Sequence, residues 1–156
     1  MSDSLIIIPT YNEKENVAKM IRKVFSLDKA YDVLIVDDGS PDGTAAIIKD
    51  LQKEFVGRLF IEERAGKLGL GTAYIHGFHW GLKKSYTFFI EMDCDFSHNP
   101  EDLIRLYNAC ANEGNDLAIG SRYVGGLVNV INWPIARVMM SYFASRYVKI
   151  ITGLPI

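Results

Sequence analysis

The chain predicts an α/β fold, a mostly parallel sheet covered by helices, and three observations carry that prediction. Short apolar runs alternate with segments of helical apolar spacing along the sequence, the signature of repeated strand–helix units. The runs are bounded by turn residues, as buried strands are. Four of them end in polar clusters, Pro9-Thr10-Tyr11-Asn12-Glu13, Asp37-Asp38-Gly39-Ser40, Asp93-Cys94-Asp95 and Gly120-Ser121-Arg122-Tyr123. Ligands bind outside the carboxyl ends of the strands in sheets of this kind.

Each element has its own justification. Leu5 to Pro9 is a short apolar strand. Glu13 to Leu27 places Val17, Met20, Ile21, Val24 and Phe25 at helical spacing, with Asn12 as the expected N-cap. Val33 to Val36 repeats the strand pattern and stops at Asp37-Asp38-Gly39-Ser40-Pro41-Asp42-Gly43-Thr44. A helix follows with Ala45, Ile47, Ile48 and Leu51 inward. Leu59 to Ile61 is a third strand, and Gly71 to Leu82 a helix expected to turn Ala73, Ile75 and Phe78 inward. Phe88 to Met92 is the next strand. Pro100 to Ala111 opens a helix with proline, and Leu117 to Gly120 reads as a fifth strand.

Composition sets bounds on function. With 49% hydrophobic and 23% charged residues over 156 positions, the chain is expected to form one domain with a sizeable core. Cys94 and Cys110 are too few for a disulfide framework, and no charged, apolar leader opens the chain, so a reducing, cytoplasmic setting is expected. The longest uncharged stretch, Tyr123 to Ala136, is broken by Gly125, Gly126, Asn129, Asn132 and Pro134 and predicts no membrane span. The net charge of −2 hides an asymmetry: Arg122, Arg137, Arg146 and Lys149 follow Asp116 with no acidic residue among them. A basic, aromatic end suits an anionic ligand or a membrane surface, and equally a solvated face. Nucleic acid is not among the expected partners.

The chemistry is concentrated at Asp93 and Asp95. Strand geometry points residues two apart the same way. Two converging carboxylates repel unless a cation lies between them, and Mg²⁺ or Mn²⁺ is held by one or two carboxylates together with substrate phosphates. A metal and diphosphate site is therefore expected there. The Asp37–Thr44 segment reads either as a capped turn or as a nucleoside site in which Asp38 accepts hydrogen bonds from a ribose or base. Glu13 is either a first-turn helix acid or a ligand contact, and Tyr11 either packs or stacks on a base. Lys67-Leu68-Gly69-Leu70-Gly71-Thr72-Ala73 lacks the Gly-Lys-Ser/Thr ending of a P-loop and does not follow the first strand, which argues against an ATPase and an NAD enzyme. His76, His79 and His98 do not have the spacing of a metal cluster.

Together, Pro9-Thr10-Tyr11-Asn12-Glu13, Val36-Asp37-Asp38-Gly39-Ser40-Pro41-Asp42-Gly43-Thr44 and Asp93-Cys94-Asp95 resemble a family 2 glycosyltransferase of the GT-A fold. Within that family, Lys67 to Ala73, Met92-Asp93-Cys94-Asp95 with Ser97-His98-Asn99-Pro100, and Gly120-Ser121-Arg122-Tyr123 are similar to the polyprenol (dolichyl) phosphate mannose synthases. The resemblance implies transfer of mannose, with inversion, from GDP-mannose to a polyprenyl or dolichyl phosphate, assisted by Mg²⁺ or Mn²⁺. It implies that Pro9, Tyr11, Glu13, Val36 and Asp38 surround the nucleoside. Asp93, Cys94 and Asp95 would hold the diphosphate, with the metal on Asp93, Asp95 and Ser97, although relatives usually have alanine at position 94 and some have a longer amide at position 97. Arg122 and Arg137 would meet the acceptor phosphate or the departing diphosphate.

One GT-A domain over 1–156 follows, with a nucleotide-sugar and metal core at 1–121 and an acceptor-side loop and amphipathic helix at 122–156. From Pro134, Arg137, Ser141, Ser145 and Lys149 form a polar stripe on an otherwise apolar helix. That helix is expected either to pack on the domain or to lie in a membrane interface beside a polyprenyl chain, giving a peripheral protein on the cytoplasmic face. Relatives are expected to carry a further motif containing Asp, Ser, Gly, Phe and Arg that this sequence does not include. Two other activities fit the same motifs: a related enzyme using another donor such as UDP-glucose, and a non-catalytic binder of nucleotide sugars.

Overall fold

The computed structural model describes residues 2–121, 123–124, 127–128 and 134–153. They fall into two compact units, Met1–Ala118 and Ile119–Ile156.

The first unit is built on four parallel strands, β1 (Ser4–Thr10), β2 (Asp32–Asp37), β3 (Leu59–Glu63) and β4 (Phe88–Glu91), in the order β3-β2-β1-β4. β1 and β2 are fully buried apart from Pro9, which explains their unbroken runs of Ile, Leu and Val: a strand covered on both faces has no solvent side to mark with polar residues. Alternate residues of β1 serve opposite faces. Ile6 and Ile8 pack with Met20, Ile21 and Val24 of α1 (Val17–Phe25), Ile48 and Leu51 of α2 (Thr44–Leu51) and Leu103 of α4 (Asp102–Ala111). Leu5 and Ile7 pack with Ala73 and Tyr74 of α3 (Leu70–Leu82). Burying each such aliphatic side chain contributes about 1.5–3 kcal/mol, so β1 is the centre of the unit's stability.

The strand order places a topological switch between β1 and β4. The chain moves outward from β1 through β2 to β3, then returns to the other side of β1 to form β4. Register brings the carboxyl ends of β1 and β2 level, with Thr10 opposite Asp37, while β4 pairs with β1 through Ser4↔Phe88 to Ile7↔Glu91. Crevices in open parallel sheets form at such a point.

Three local expectations are corrected. Asn12 does not cap α1. It adopts a left-handed conformation, φ 61°, that asparagine tolerates, its N–H donates to Ser40 Oγ, and the helix begins at Val17 with Asn16 in the cap position. Ile75 does not face inward: it is 54% exposed, and Ala73, Tyr74, Gly77 and Gly81 form the buried side of α3. The reason is close approach, since a Cβ on Gly77 would lie 2.5 Å from Ile7 Cγ2 and one on Gly81 2.8 Å from Leu5 Cδ2. Finally, residues 117–120 form no strand. Leu117 and Ile119 are 73% and 67% exposed, and an apolar run becomes a strand only when a neighbour accepts its backbone hydrogen bonds.

In the second unit, β5 (Tyr123–Val124) and β6 (Leu127–Val128) pair antiparallel. α5 (Ile135–Thr152) follows Pro134 and ends at Gly153 in a left-handed C-cap, φ 71°. None of its described residues is buried. No helix among the described residues is long and apolar enough to cross a membrane.

Candidate functional site

A cleft of about 250 Å³ opens at the carboxyl ends of β1, β2 and β4. It is lined by Pro9, Thr10, Tyr11, Glu13, Asp38, Lys67, Gly69, Leu70, Ala73, Asp93, Cys94 and Asp95. Three of the four polar strand ends picked out in the sequence thus converge on one crevice.

The walls are held by hydrogen bonds within the Asp37–Thr44 turn. Asp37 is 1% exposed and accepts from Thr10 Oγ1 at 2.8 Å, Ser40 Oγ at 2.6 Å and Ser40 N at 2.9 Å. It locks β1 to β2 and has no face left for a ligand. Asp42 accepts from Thr44 N and Oγ1, and Thr44 Oγ1 accepts from Glu13 N at 3.0 Å. The two readings of this segment are therefore divided among its aspartates: Asp37 and Asp42 build the turn and fix the Tyr11–Glu13 loop, whereas Asp38 lines the cleft.

Asp38 has a partner that the sequence reading did not name. Arg64 Nε donates to Asp38 Oδ1 at 2.6 Å, and the two side chains are each only 8% exposed. Asp38 Oδ2 also accepts from Leu68 N at 3.2 Å. Arg64 reaches on to Thr72 Oγ1 and the Gly69 carbonyl, so one guanidinium ties the end of β2 to the glycine-rich turn that opens α3. Gly69 has φ 100°, a conformation that favours glycine. The available signal was position: Glu63-Arg64 is a further polar cluster at a strand end. Lys67 from the same turn lies over the Tyr11 ring, its ammonium 4.7 Å from the centroid, in cation–π geometry.

On the opposite wall β4 ends at Glu91, so Asp93 to Asp95 lie in the irregular segment after it and strand geometry does not set their directions. Cys94 is 3% exposed and packs in the core cluster, and it lines the cleft together with Asp93 and Asp95. Burial, then the charges of Glu13, Asp95 and Asp93, pushes the Cys94 thiol up to about 12. Asp93 Oδ1 accepts from Tyr74 Oη at 3.0 Å, and Asp95 Oδ1 accepts from Ser97 N at 2.9 Å. Burial alone would raise the Asp95 carboxyl, but the Ser97 hydrogen bonds and nearby His98 outweigh it and hold it below the usual range. His98 Nδ1 accepts from Asp93 N at 3.3 Å. Phe96, between these residues, has φ 60°, an unfavourable conformation for a bulky side chain; it turns the chain sharply after Asp95.

The donor set suits a hard divalent cation. Asp93 is oriented by Tyr74 and has His98 Nε2 3.7 Å from Oδ2, Asp95 is oriented by Ser97, and two carboxylates leave room for phosphate oxygens to complete the shell. No group of three or more His, Cys, Asp or Glu among the described residues could enclose a metal alone. Ser97 is exposed and absent from the cleft lining; its N–H serves Asp95. Val36 is fully buried in the core cluster beside Ala73 and Tyr74. Arg122 lies outside the described residues, and Arg137 is an exposed residue of α5 in the second unit.

Comparison with known proteins supplies the context for this geometry. The model for glycosyl transferase family 2 matches residues 5–154. The polyprenol monophosphomannose synthase of Mycolicibacterium smegmatis is 46% identical over 154 residues, 98% of this chain and 57% of that relative. The undecaprenyl-phosphate mannosyltransferase of Micrococcus luteus is 44% identical over 150 residues, 96% of this chain and 60% of the relative. The chain thus spans under two thirds of the length of either. Among solved structures, TarS residues 1–349 of S. aureus, in complex with UDP-GlcNAc, superposes with a TM-score of 0.61 at 17% identity, covering 80% of this chain and 38% of that one. At that identity the likeness speaks for the fold.

Proposed function

From the premise that this chain belongs to glycosyl transferase family 2 and has its GT-A fold, we propose that it takes part in transferring mannose from GDP-mannose to a polyprenyl or dolichyl phosphate. The observation that carries the reading is the joining of Asp93 and Asp95, at the end of β4, with Tyr11, Glu13 and Asp38 in one cleft. A diphosphate-bearing nucleotide needs both walls. The names of the two relatives, each a prenyl-phosphate mannosyltransferase, support the choice of sugar and acceptor.

In this reading Tyr11, Pro9, Glu13 and Asp38 hold the nucleoside, and Asp93 and Asp95 hold the diphosphate end. Mg²⁺ or Mn²⁺, when bound there, supplies Lewis-acid neutralisation of the leaving diphosphate. An acceptor phosphate oxygen attacks the anomeric carbon of mannose as the bond to the diphosphate oxygen breaks, and the bonding pair leaves with GDP. Inversion follows from a single displacement. A phosphate acceptor is already ionised near neutral pH, so the protein's task is to place it rather than deprotonate it. Arg122 and Arg137 are the proposed phosphate contacts, because a guanidinium binds two oxygens at once.

A membrane surface is the proposed setting. α5 exposes Ile135, Phe143, Tyr147, Ile150 and Ile151 and carries Arg137, Arg146 and Lys149 without an acidic residue, a composition that suits an anionic lipid interface. The test of the reading is transfer of labelled sugar into a prenyl-phosphate product extracted into organic solvent, from GDP-mannose and, in parallel, from UDP-glucose, each labelled in its sugar. Label entering the lipid from GDP-mannose alone supports the assignment. Label entering only from UDP-glucose would assign a different donor.

A further inference from the structure

The reaction outlined above leaves Tyr74 without a role, although it touches one of the two carboxylates on which that reaction depends. Tyr74 is 9% exposed, its ring packed in the core cluster with Leu5, Ile7, Leu34 and Val36. Its hydroxyl donates to Asp93 Oδ1 at 3.0 Å, and the other carboxylate oxygen, Oδ2, lies 3.7 Å from His98 Nε2. The helix beneath it has little freedom to shift, because Gly77 and Gly81 bring α3 against Ile7 and Leu5 so closely that neither position has room for a methyl group. α3 also supplies Leu70 and Ala73 to the cleft lining. A rigid ring on a tightly seated helix therefore delivers one donor to one oxygen of Asp93.

We propose that Tyr74 is a positioning residue for the cation and diphosphate site: its hydroxyl occupies Asp93 Oδ1 and turns Oδ2 toward the cleft as the ligating oxygen. The inference rests on the reading of Asp93 as a metal and diphosphate ligand. A carboxylate at a strand end otherwise rotates among several orientations, and a ligand must hold one orientation to bind a cation well. Outer-shell hydrogen bonds of this kind typically account for a 10- to 100-fold difference in metal affinity. A buried hydroxyl also needs an acceptor, so the bond fixes both partners.

The test is Tyr74→Phe, which keeps the ring and deletes one oxygen. The quantity to read is the ratio of GDP affinities with and without Mn²⁺, measured calorimetrically on the folded chain. A loss of packing lowers both affinities together and leaves this ratio unchanged. The expected result is a metal enhancement reduced about 10-fold, with metal-free GDP binding close to that of the wild-type chain. Asp93→Asn is measured alongside. If Asp93→Asn abolishes the enhancement and Tyr74→Phe retains it in full, Tyr74 has no positioning role. An equal loss of metal-free and metal-bound affinity in Tyr74→Phe overturns the proposal in favour of simple packing. A full enhancement in Asp93→Asn removes the reading of Asp93 and the role of Tyr74 with it.

Discussion

Thr10 at the end of β1 donates its hydroxyl to Asp37 at the end of β2, 2.8 Å away, across the one register position where both strands stop. The acceptor is 1% exposed and also holds Ser40. The first of the two adjacent aspartates is thus a structural clasp, and the second faces the cleft. Asp37→Ala leaves these donors without their acceptor in a buried place and is expected to cost about 1–3 kcal/mol, read as a lower urea midpoint.

Asp38 and Arg64 form a nearly buried ion pair, and removing one partner strands the other. Asp38→Ala is expected to cost about 3–5 kcal/mol, while replacing both residues with apolar side chains of similar volume recovers much of that loss. A double-mutant cycle in urea measures the coupling. Additive single effects would show that the pair does not hold the glycine-rich turn to β2.

Gly77 marks where α3 meets the sheet. Gly77→Val places new carbon atoms against Ile7, which is fully buried and cannot swing away, and the expected overpacking cost is about 1–3 kcal/mol. Substituting exposed Ile75 by Thr, two residues earlier on the same helix, is expected to change stability by less than about 0.5 kcal/mol. Thermal unfolding of the two variants compares them directly.

Asp3 gives the fold a defined acid response. Burial alone would raise its carboxyl, but Lys29, Ser4 and Tyr107 together lower it from 3.8 to about 2. A depressed carboxylate contributes stability that is fully present above its unfolded value and lost as pH falls through its folded value. The gap in unfolding free energy between wild type and Asp3→Asn is therefore expected to be constant near neutral pH and to close between about pH 4 and pH 2. Solvent screening keeps it small, since the Asp3 side chain is 41% exposed.

Much of this was legible in residue order, and the rest failed for identifiable reasons. The buried strands follow from composition, because burial on both faces leaves a continuous apolar run. Asp93 and Asp95 do share the cleft, but not through strand geometry, since β4 ends at Glu91 and both carboxylates lie in the irregular segment after it. Ile75 misled because hydrophobicity is a poor guide when a helix approaches a sheet through glycines; the spacing of Ala73, Gly77 and Gly81 carried the information. Asn12 has cap chemistry, but its backbone N–H donates to Ser40 Oγ across 28 residues of sequence, which no local pattern reveals. Residues 117–120 had a strand's composition without a described partner. Arg64 and Tyr74 stayed hidden because a lone arginine or tyrosine carries no motif until the fold shows what it touches.

The central claim, a metal-assisted nucleotide-sugar site across β1, β2 and β4, is tested most directly by titrating GDP-mannose into the wild-type chain and Asp95→Ala, each with and without Mn²⁺. Asp95 lines the cleft and is assigned to the cation, so the account predicts binding to the wild-type chain that strengthens with Mn²⁺ and an enhancement that disappears in the variant. Equal affinity with and without the metal, or an undiminished enhancement in Asp95→Ala, would contradict it.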